Sequence, residues 1–296
     1  CEEGIVHLHT GRPMRAASCF RQAWELARLP TALNNLGALH YNQGDPAAAL
    51  EAIQPLLRDP EPLPYTHAMA SICLHDLGQP GPAEAQLERA IADFEEGLRQ
   101  WRARGPVPPE WVQYTVMIKR AAGELGQHRC VLQLHRRWPR KSLDYGLHYA
   151  GVAAFNLGWY AEAARLWRKL PDPDLASVTE LYAFVAQQVE RGQVPPFALE
   201  YEMLAPGDLV AATRADVRAK MVQGRFRVLS LAAAFKMAST PVEARALVKT
   251  LVCDTGDWGA ELARRWQNDP TLPRLLKRAV TAVVKKHGNR EAGQAR

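Results

Sequence analysis

The stretch LNNLGALHYNQGDPAAALEAI, residues 33–53, decides how the rest of the chain is read. It places Gly37 inside an apolar helical run, breaks at Gly44-Asp45-Pro46 and resumes with alanines. A glycine in a helix interior costs about 0.5–1 kcal/mol against alanine, so it is kept where a neighbour must come close. The break has the order of a stop and a restart. Glycine stands just past a helix end, aspartate is placed as N-cap, and proline falls in the first turn, where its missing N–H costs nothing. Leu33, Leu36, Gly37 and His40 share one face of the first helix, and Ala49, Ile53 and Leu56 share one of the second. Two short antiparallel helices are expected.

The hairpin recurs. Turn glycines stand at Gly11, Gly44, Gly78, Gly126, Gly158 and Gly192, at intervals of 33, 34, 48, 32 and 34 residues. Five residues after most of them comes a small or aliphatic residue (Ala16, Ala49, Ala83, Val131, Ala163), and four further on a larger one (Phe20, Ile53, Leu87, His135, Trp167). Seven residues before each turn glycine lies a third position of the pattern: Gly4, Gly37, Ser71, Lys119, Gly151 and Val185. A period near 34 residues in a helix-turn-helix pattern is a signature of helical repeats. On these residues, roughly 1–192, the chain resembles the tetratricopeptide repeat (TPR) family, most clearly in LNNLGALHYNQGDPAAALEAI and in LHYAGVAAFNLGWYAEAARLW, residues 147–167. Lys119 and His135 depart from the pattern in the fourth repeat. The resemblance implies an all-α chain: a right-handed TPR α-solenoid of about five and a half repeats, then an extended strap and a smaller helical domain.

The boundaries expected are 1–192 for the solenoid, 193–206 for the strap and 207–290 for a basic C-terminal domain, either HEAT-like or a bundle. Cys1 falls within the first helix of the first repeat, so that repeat is expected to be truncated. The 48-residue interval exceeds the others by about four helical turns. It is expected to extend one helix over about 83–104, with an apolar stripe of Ile91, Phe94, Leu98 and Trp101 that either Trp111 or a second chain, through self-association, would cover. In VPPFALEYEML, residues 194–204, two prolines forbid a helix, and Phe197, Leu199, Tyr201 and Met203 alternate with Ala198, Glu200 and Glu202. Period two means an extended segment with one buried face. Beyond it helices are expected from Asp208, as cap, to about Gln223, Arg225 to Ala238, Thr240 to about Val252, Asp257, as cap, through Trp266 and Leu272 to Lys286, the third opened by a Thr240–Glu243 capping box.

Composition excludes several classes. The longest uncharged apolar run, Val228 to Phe235, is far short of the roughly 20 residues that span a bilayer. Five widely spaced cysteines without a C-x-x-C pair point to reduced thiols, no zinc site and a cytoplasmic location. His7 and His9 form an H-x-H, but residues two apart on a helix point to different sides, so no metal is expected there. No phosphate loop, nucleophile elbow or H-E-x-x-H is present, and neither a catalytic residue nor a cofactor is expected. The weight of arginine over lysine is consistent with a GC-rich bacterial source.

Charge divides the chain. Residues 1–200 carry 20 Lys and Arg against 22 Asp and Glu, whereas residues 201–296 carry 17 against 9. On the last helix Arg274, Lys277, Arg278, Lys285 and Lys286 stand opposite an apolar stripe of Leu275, Leu276, Ala279, Val280, Val283 and Val284, a face suited to an anionic partner. The TPR resemblance implies a concave groove lined by the first helix of each pair, here His9, Asn34, Tyr41, Asn42, Tyr65, Ile72, His75, Arg120, Tyr145, His148, Phe155, Asn156 and Tyr182. That lining suits a peptide or helix of a partner protein with apolar anchors. Of the positions that would form a carboxylate clamp (Cys1, Ile5, Asn35, Tyr65, Met69), only Asn35 fits. The expected function is therefore a non-catalytic interaction scaffold, with a nucleic-acid-associated regulator as the alternative.

Overall fold

The computed structural model describes residues 1–59, 62–138, 144–170, 173–204, 220–221 and 223–294, and among them the chain is helical without a strand. It divides into two compact units, Cys1–Ser142 and Leu143–Arg296.

The first unit contains α1 (Glu2–His9), α2 (Pro13–Ala27), α3 (Pro30–Asn42), α4 (Pro46–Leu57), α5 (Pro64–Asp76), α6 (Pro80–Arg104), α7 (Pro109–Glu124) and α8 (His128–Arg137). Proline opens six of these eight, where its fixed φ favours the first turn. Each helix packs on the next, and α3 also meets α5 and α5 meets α7. The Gly44-Asp45-Pro46 break is built as its residues require. Gly44 takes φ +82°, the left-handed region open to glycine, as do the other five turn glycines. The Asp45 carboxylate accepts from the Ala48 amide at 2.9 Å, capping α4.

Gly37 explains itself in the packing. A Cβ there would lie 2.7 Å from Ile53 Cγ2, while Ile53 is fully buried. The same relation holds between Gly4 and Phe20, at 2.5 Å from the ring. At the corresponding place in α5, Ser71 instead donates its hydroxyl to the Ala83 carbonyl at 2.8 Å. Burying one such aliphatic or aromatic side chain contributes about 1.5–3 kcal/mol, so the α1–α2 and α3–α4 hairpins are each closed by their own large residue.

Helix α6 runs 25 residues, and its apolar stripe is covered from within the unit. Trp111 stacks on Phe94 at 6.0 Å between ring centroids, and Trp138 meets Phe94 at 4.5 Å. A Cβ at Gly97 would fall 2.0 Å from the Trp111 ring, so glycine makes room for the indole. Trp138 Nε1 donates to Glu95 at 3.0 Å, and Arg137 pairs with the same carboxylate.

The second unit holds α9 (Asp144–Asn156), α10 (Tyr160–Trp167), α11 (Pro173–Glu190), the extended strap, α12 (Gly224–Ala232) continuing into a π-helical turn (Ala233–Met237), α13 (Pro241–Cys253), α14 (Asp257–Asn268) and α15 (Arg274–Gln294). Gly151 repeats the arrangement of Gly37, with Trp167 as the large residue 2.7 Å from its Cβ position. The Thr240–Glu243 capping box is formed in full. Asp257 is the first residue of α14 and not its cap; Gly256 occupies the cap position at φ +61°. The helix expected from Asp208 lies almost wholly outside the described residues.

Candidate peptide-binding faces

In the first unit, the helices expected to line a groove bring together α3, α5 and α7. Tyr41 on α3 is half-buried and donates its hydroxyl to Asp76 on α5 at 2.8 Å. The Arg120 guanidinium from α7 lies 5.6 Å from the Tyr41 ring centroid and 3.6 Å from Glu124. Burial first, then the Asp76 carboxylate, holds the Tyr41 phenol above its ordinary pKa. Burial pushes the Tyr65 phenol up to about 12, against Arg120, which favours the anion. Both therefore stay neutral donors at ordinary pH. Tyr65 lies 6.2 Å from Tyr114, which in turn meets Trp111 edge-on at 5.4 Å.

His75 is half-buried, Asn42 and His9 are exposed, and the Asn42 side chain has no hydrogen-bond partner among the described residues. Asn34 and Ile72 are instead structural. Asn34 is buried and accepts the Thr66 hydroxyl at 3.0 Å, and Ile72 is fully buried. Asp76 was legible in principle, since it stands two residues before a turn glycine, as Asn42 and Asn156 do. Trp111 and Tyr114 fall in the fourth repeat, where the pattern is weakest.

In the second unit the corresponding positions meet the strap. Asn156 at the end of α9 donates Nδ2–H to the Leu199 carbonyl at 2.8 Å and accepts the Leu199 amide on Oδ1 at 2.8 Å. The carboxamide thus pairs with one strap residue as a neighbouring β-strand would. Phe155 meets Phe197 edge to face at 5.3 Å, and Tyr149 meets Tyr201 at 5.9 Å. The Tyr182 hydroxyl accepts the Leu204 amide at 3.3 Å. Leu199 and Tyr201 are buried and Ala198 and Glu202 exposed, as period two requires, whereas Phe197, Glu200 and Met203 are half-buried. Four expected groove residues, His148, Phe155, Asn156 and Tyr182, are thereby engaged beneath or against the chain's own extended segment. Tyr145 stays exposed.

His148 is fully buried between these elements, and its Nδ1 accepts from Trp167 Nε1 at 3.2 Å. Burial pushes its pKa down to about 3, opposed by the Tyr201 main chain. The strap's other side meets the C-terminal helices. Trp258 Nε1 donates to the Pro195 carbonyl at 3.1 Å and Trp266 Nε1 to the Gln193 carbonyl at 2.9 Å. Both oxygens of Glu200 accept from the start of α12, the Gly224 amide at 2.7 Å and the Arg225 amide at 3.0 Å. A carboxylate is favoured at that end by the helix dipole. Residues 193–204 thus join α9–α11 to the helices beyond, which is why residues 143–296 form one compact unit.

On α15, Arg274, Lys277, Arg278, Lys285 and Lys286 are all exposed, and Leu276, Ala279, Val280 and Val283 are buried beneath them. Near the start of the chain, Glu3, His7 and Cys19 bring their ligand atoms within 4.8 Å of one another. Glu3, four residues before His7 on α1, is a carboxylate at ligand spacing that the H-x-H reading leaves out, and Cys19 arrives from α2. Glu3 is exposed, and such groups commonly meet without an ion. Among the described residues no helix is long and apolar enough to cross a membrane. The chain matches no protein-family model, no curated protein and no solved structure.

Proposed function

We propose that this chain is a non-catalytic interaction scaffold of the TPR type, and that the α3–α5–α7 face of its first unit receives a peptide segment of another protein. The observation that carries this reading is the cluster of half-buried Tyr41, Tyr65, Tyr114 and Arg120 with exposed Asp76 on that face. It combines aromatic surface with charge-assisted hydrogen bonding, the mixture that anchors peptides. The second unit supports it, because the repeat-equivalent face of α9 and α11 already holds an extended segment. Positive-φ glycines at the expected turns and large side chains packed against Gly4, Gly37 and Gly151 support the TPR assignment.

The test is affinity capture from native lysate on the immobilised chain, with nuclease and at high salt. A protein retained by the wild type and lost from Tyr41→Ala/Tyr65→Ala, with the variant still folded by circular dichroism at the assay temperature, is the expected result; some loss of unfolding temperature is expected from truncating two half-buried rings. Equal retention by the variant would remove the groove assignment. A second reading rests on the five exposed cations of α15: nucleic acid bound at low salt and released at high salt, since phosphate contacts weaken steeply with ionic strength. Replacing Lys277, Arg278, Lys285 and Lys286 with alanine should abolish that binding and leave peptide capture intact.

A further inference from the structure

The strap gives the ligand chemistry of the first unit a template within the same chain. Tyr41-Asn42-Gln43-Gly44 and Phe155-Asn156-Leu157-Gly158 occupy the same place in their hairpins. Each ends its helix at a left-handed glycine, Gly44 at φ +82° and Gly158 at φ +79°. Each is preceded, seven residues before that glycine, by Gly37 or Gly151, and each of these would place a Cβ 2.7 Å from the large residue of the following helix, Ile53 or Trp167. The local backbone frames therefore correspond. What differs is occupancy: Asn156 holds both main-chain groups of Leu199, while the Asn42 carboxamide is exposed and has no partner among the described residues.

A carboxamide is suited to this task because it offers one donor and one acceptor in a plane, the same pair that a strand residue presents along one edge. It reads main chain, so it selects an extended conformation without selecting a side chain. Selection comes from the neighbour: Phe155 contacts Phe197, two residues before the clamped Leu199. On the first unit that neighbour is Tyr41, whose hydroxyl is fixed by Asp76 at 2.8 Å, leaving the ring held in place.

We propose that Asn42 is a main-chain clamp. Its carboxamide pairs both ways with one residue of an extended partner segment, and Tyr41 takes an aromatic side chain two positions earlier, in the aromatic-x-aliphatic order of Phe197-Ala198-Leu199. This rests on the peptide-binding reading of the α3–α5–α7 face and names the conformation and pattern of its ligand. The mode is strand addition to a side chain, with affinity from the backbone and specificity from alternate residues.

The probe is a labelled synthetic peptide with the sequence of residues 194–204, titrated against the intact chain by fluorescence anisotropy. Saturable binding is expected, weakened about tenfold or more by Asn42→Ala, which removes two hydrogen bonds. A similar loss is expected when the peptide's Leu199 amide is N-methylated, because the blocked group is main chain, and when its Phe197 is replaced by alanine. Asn42 is exposed, so Asn42→Ala should leave the unfolding temperature unchanged. No saturable binding, or binding indifferent to Asn42→Ala, overturns the clamp. Binding that is lost in Asn156→Ala and kept in Asn42→Ala also overturns it, since the peptide would then be exchanging with the strap. If the peptide fails while protein capture still depends on Tyr41 and Tyr65, the clamp falls and the groove stands. If capture fails as well, the reading beneath it falls too.

Discussion

The two units use one helical device with opposite outcomes. In the second, the face of α9 and α11 is engaged by the strap: Asn156 is paired, Phe155 and Tyr182 are buried, and His148 is shut from water. In the first, the face of α3, α5 and α7 keeps Tyr41 and Tyr65 half-buried and leaves Asn42 exposed. The difference teaches that a repeat position need not have a fixed role. The same asparagine, two residues before a turn glycine, is an internal strut where the strap pairs with it and an exposed amide without a partner among the described residues at Asn42. Tyr41 shows the corresponding adjustment, since its hydroxyl finds Asp76 where Phe155 finds another aromatic ring.

The comparison can be broken most severely at its scaffold. Trp167 fills the space that Gly151 opens and supports His148, so Trp167→Ala should cost about 3–5 kcal/mol in denaturant unfolding followed by circular dichroism. A loss under about 1 kcal/mol would mean that this glycine–tryptophan contact does not hold the second unit together.

Acid should act next. The unfolded chain binds a proton at His148 near its ordinary pKa of 6.5, and the folded unit resists it until about 3. Stability contributed by the neutral ring is therefore complete above pH 6.5. It falls as pH drops through that window, by about 1.4 kcal/mol per pH unit. Unfolding free energies between pH 7 and 5 should show this slope, and His148→Gln should flatten it. An unchanged slope in the variant would assign the acid sensitivity to other groups.

Asn156→Ala should cost about 1–3 kcal/mol, because it leaves the Leu199 amide and carbonyl without their partner. Hydrogen exchange at the Leu199 amide reports it directly, and protection equal to wild type would show that the side chain is not what holds the strap. The matched substitution Asn42→Ala should change stability by less than about 0.5 kcal/mol. That contrast is the comparison reduced to one pair of residues. An equal cost at both sites would indicate that Asn42 has an internal partner after all.

How much of this was legible in the sequence depended on what each residue answers to. The turns were legible because they are local: a left-handed glycine, a capping aspartate and a first-turn proline act within a few residues, as Gly44, Asp45 and Pro46 do. The close packing at Gly37 was legible for the same reason, since its partner Ile53 lies in the next helix. The strap's alternation predicted an extended segment with Leu199 and Tyr201 buried, and they are. What it covers could not be read, because the Asn156–Leu199 pairing spans 43 residues and no local signal announces it. Asn34 and Ile72 share the register of the expected groove but are taken up by Thr66 and the core. Helical spacing separates faces by about 100° per residue and does not separate a lining position from one turned into the adjacent helix. At Asp257 the error was one residue, since a glycine with positive φ took the cap position instead.

The most direct measurement places the photo-crosslinking residue p-azidophenylalanine at position 41 in one chain and at position 155 in another, each irradiated in native lysate and read by mass spectrometry. At position 155 the crosslink should run to residues 194–204 of the same chain, because Phe155 already meets Phe197 there. At position 41 it should run to an extended segment of a different protein. Crosslinks confined to the same chain at both positions would contradict the account, because the first unit's face would then be as fully occupied as the second's.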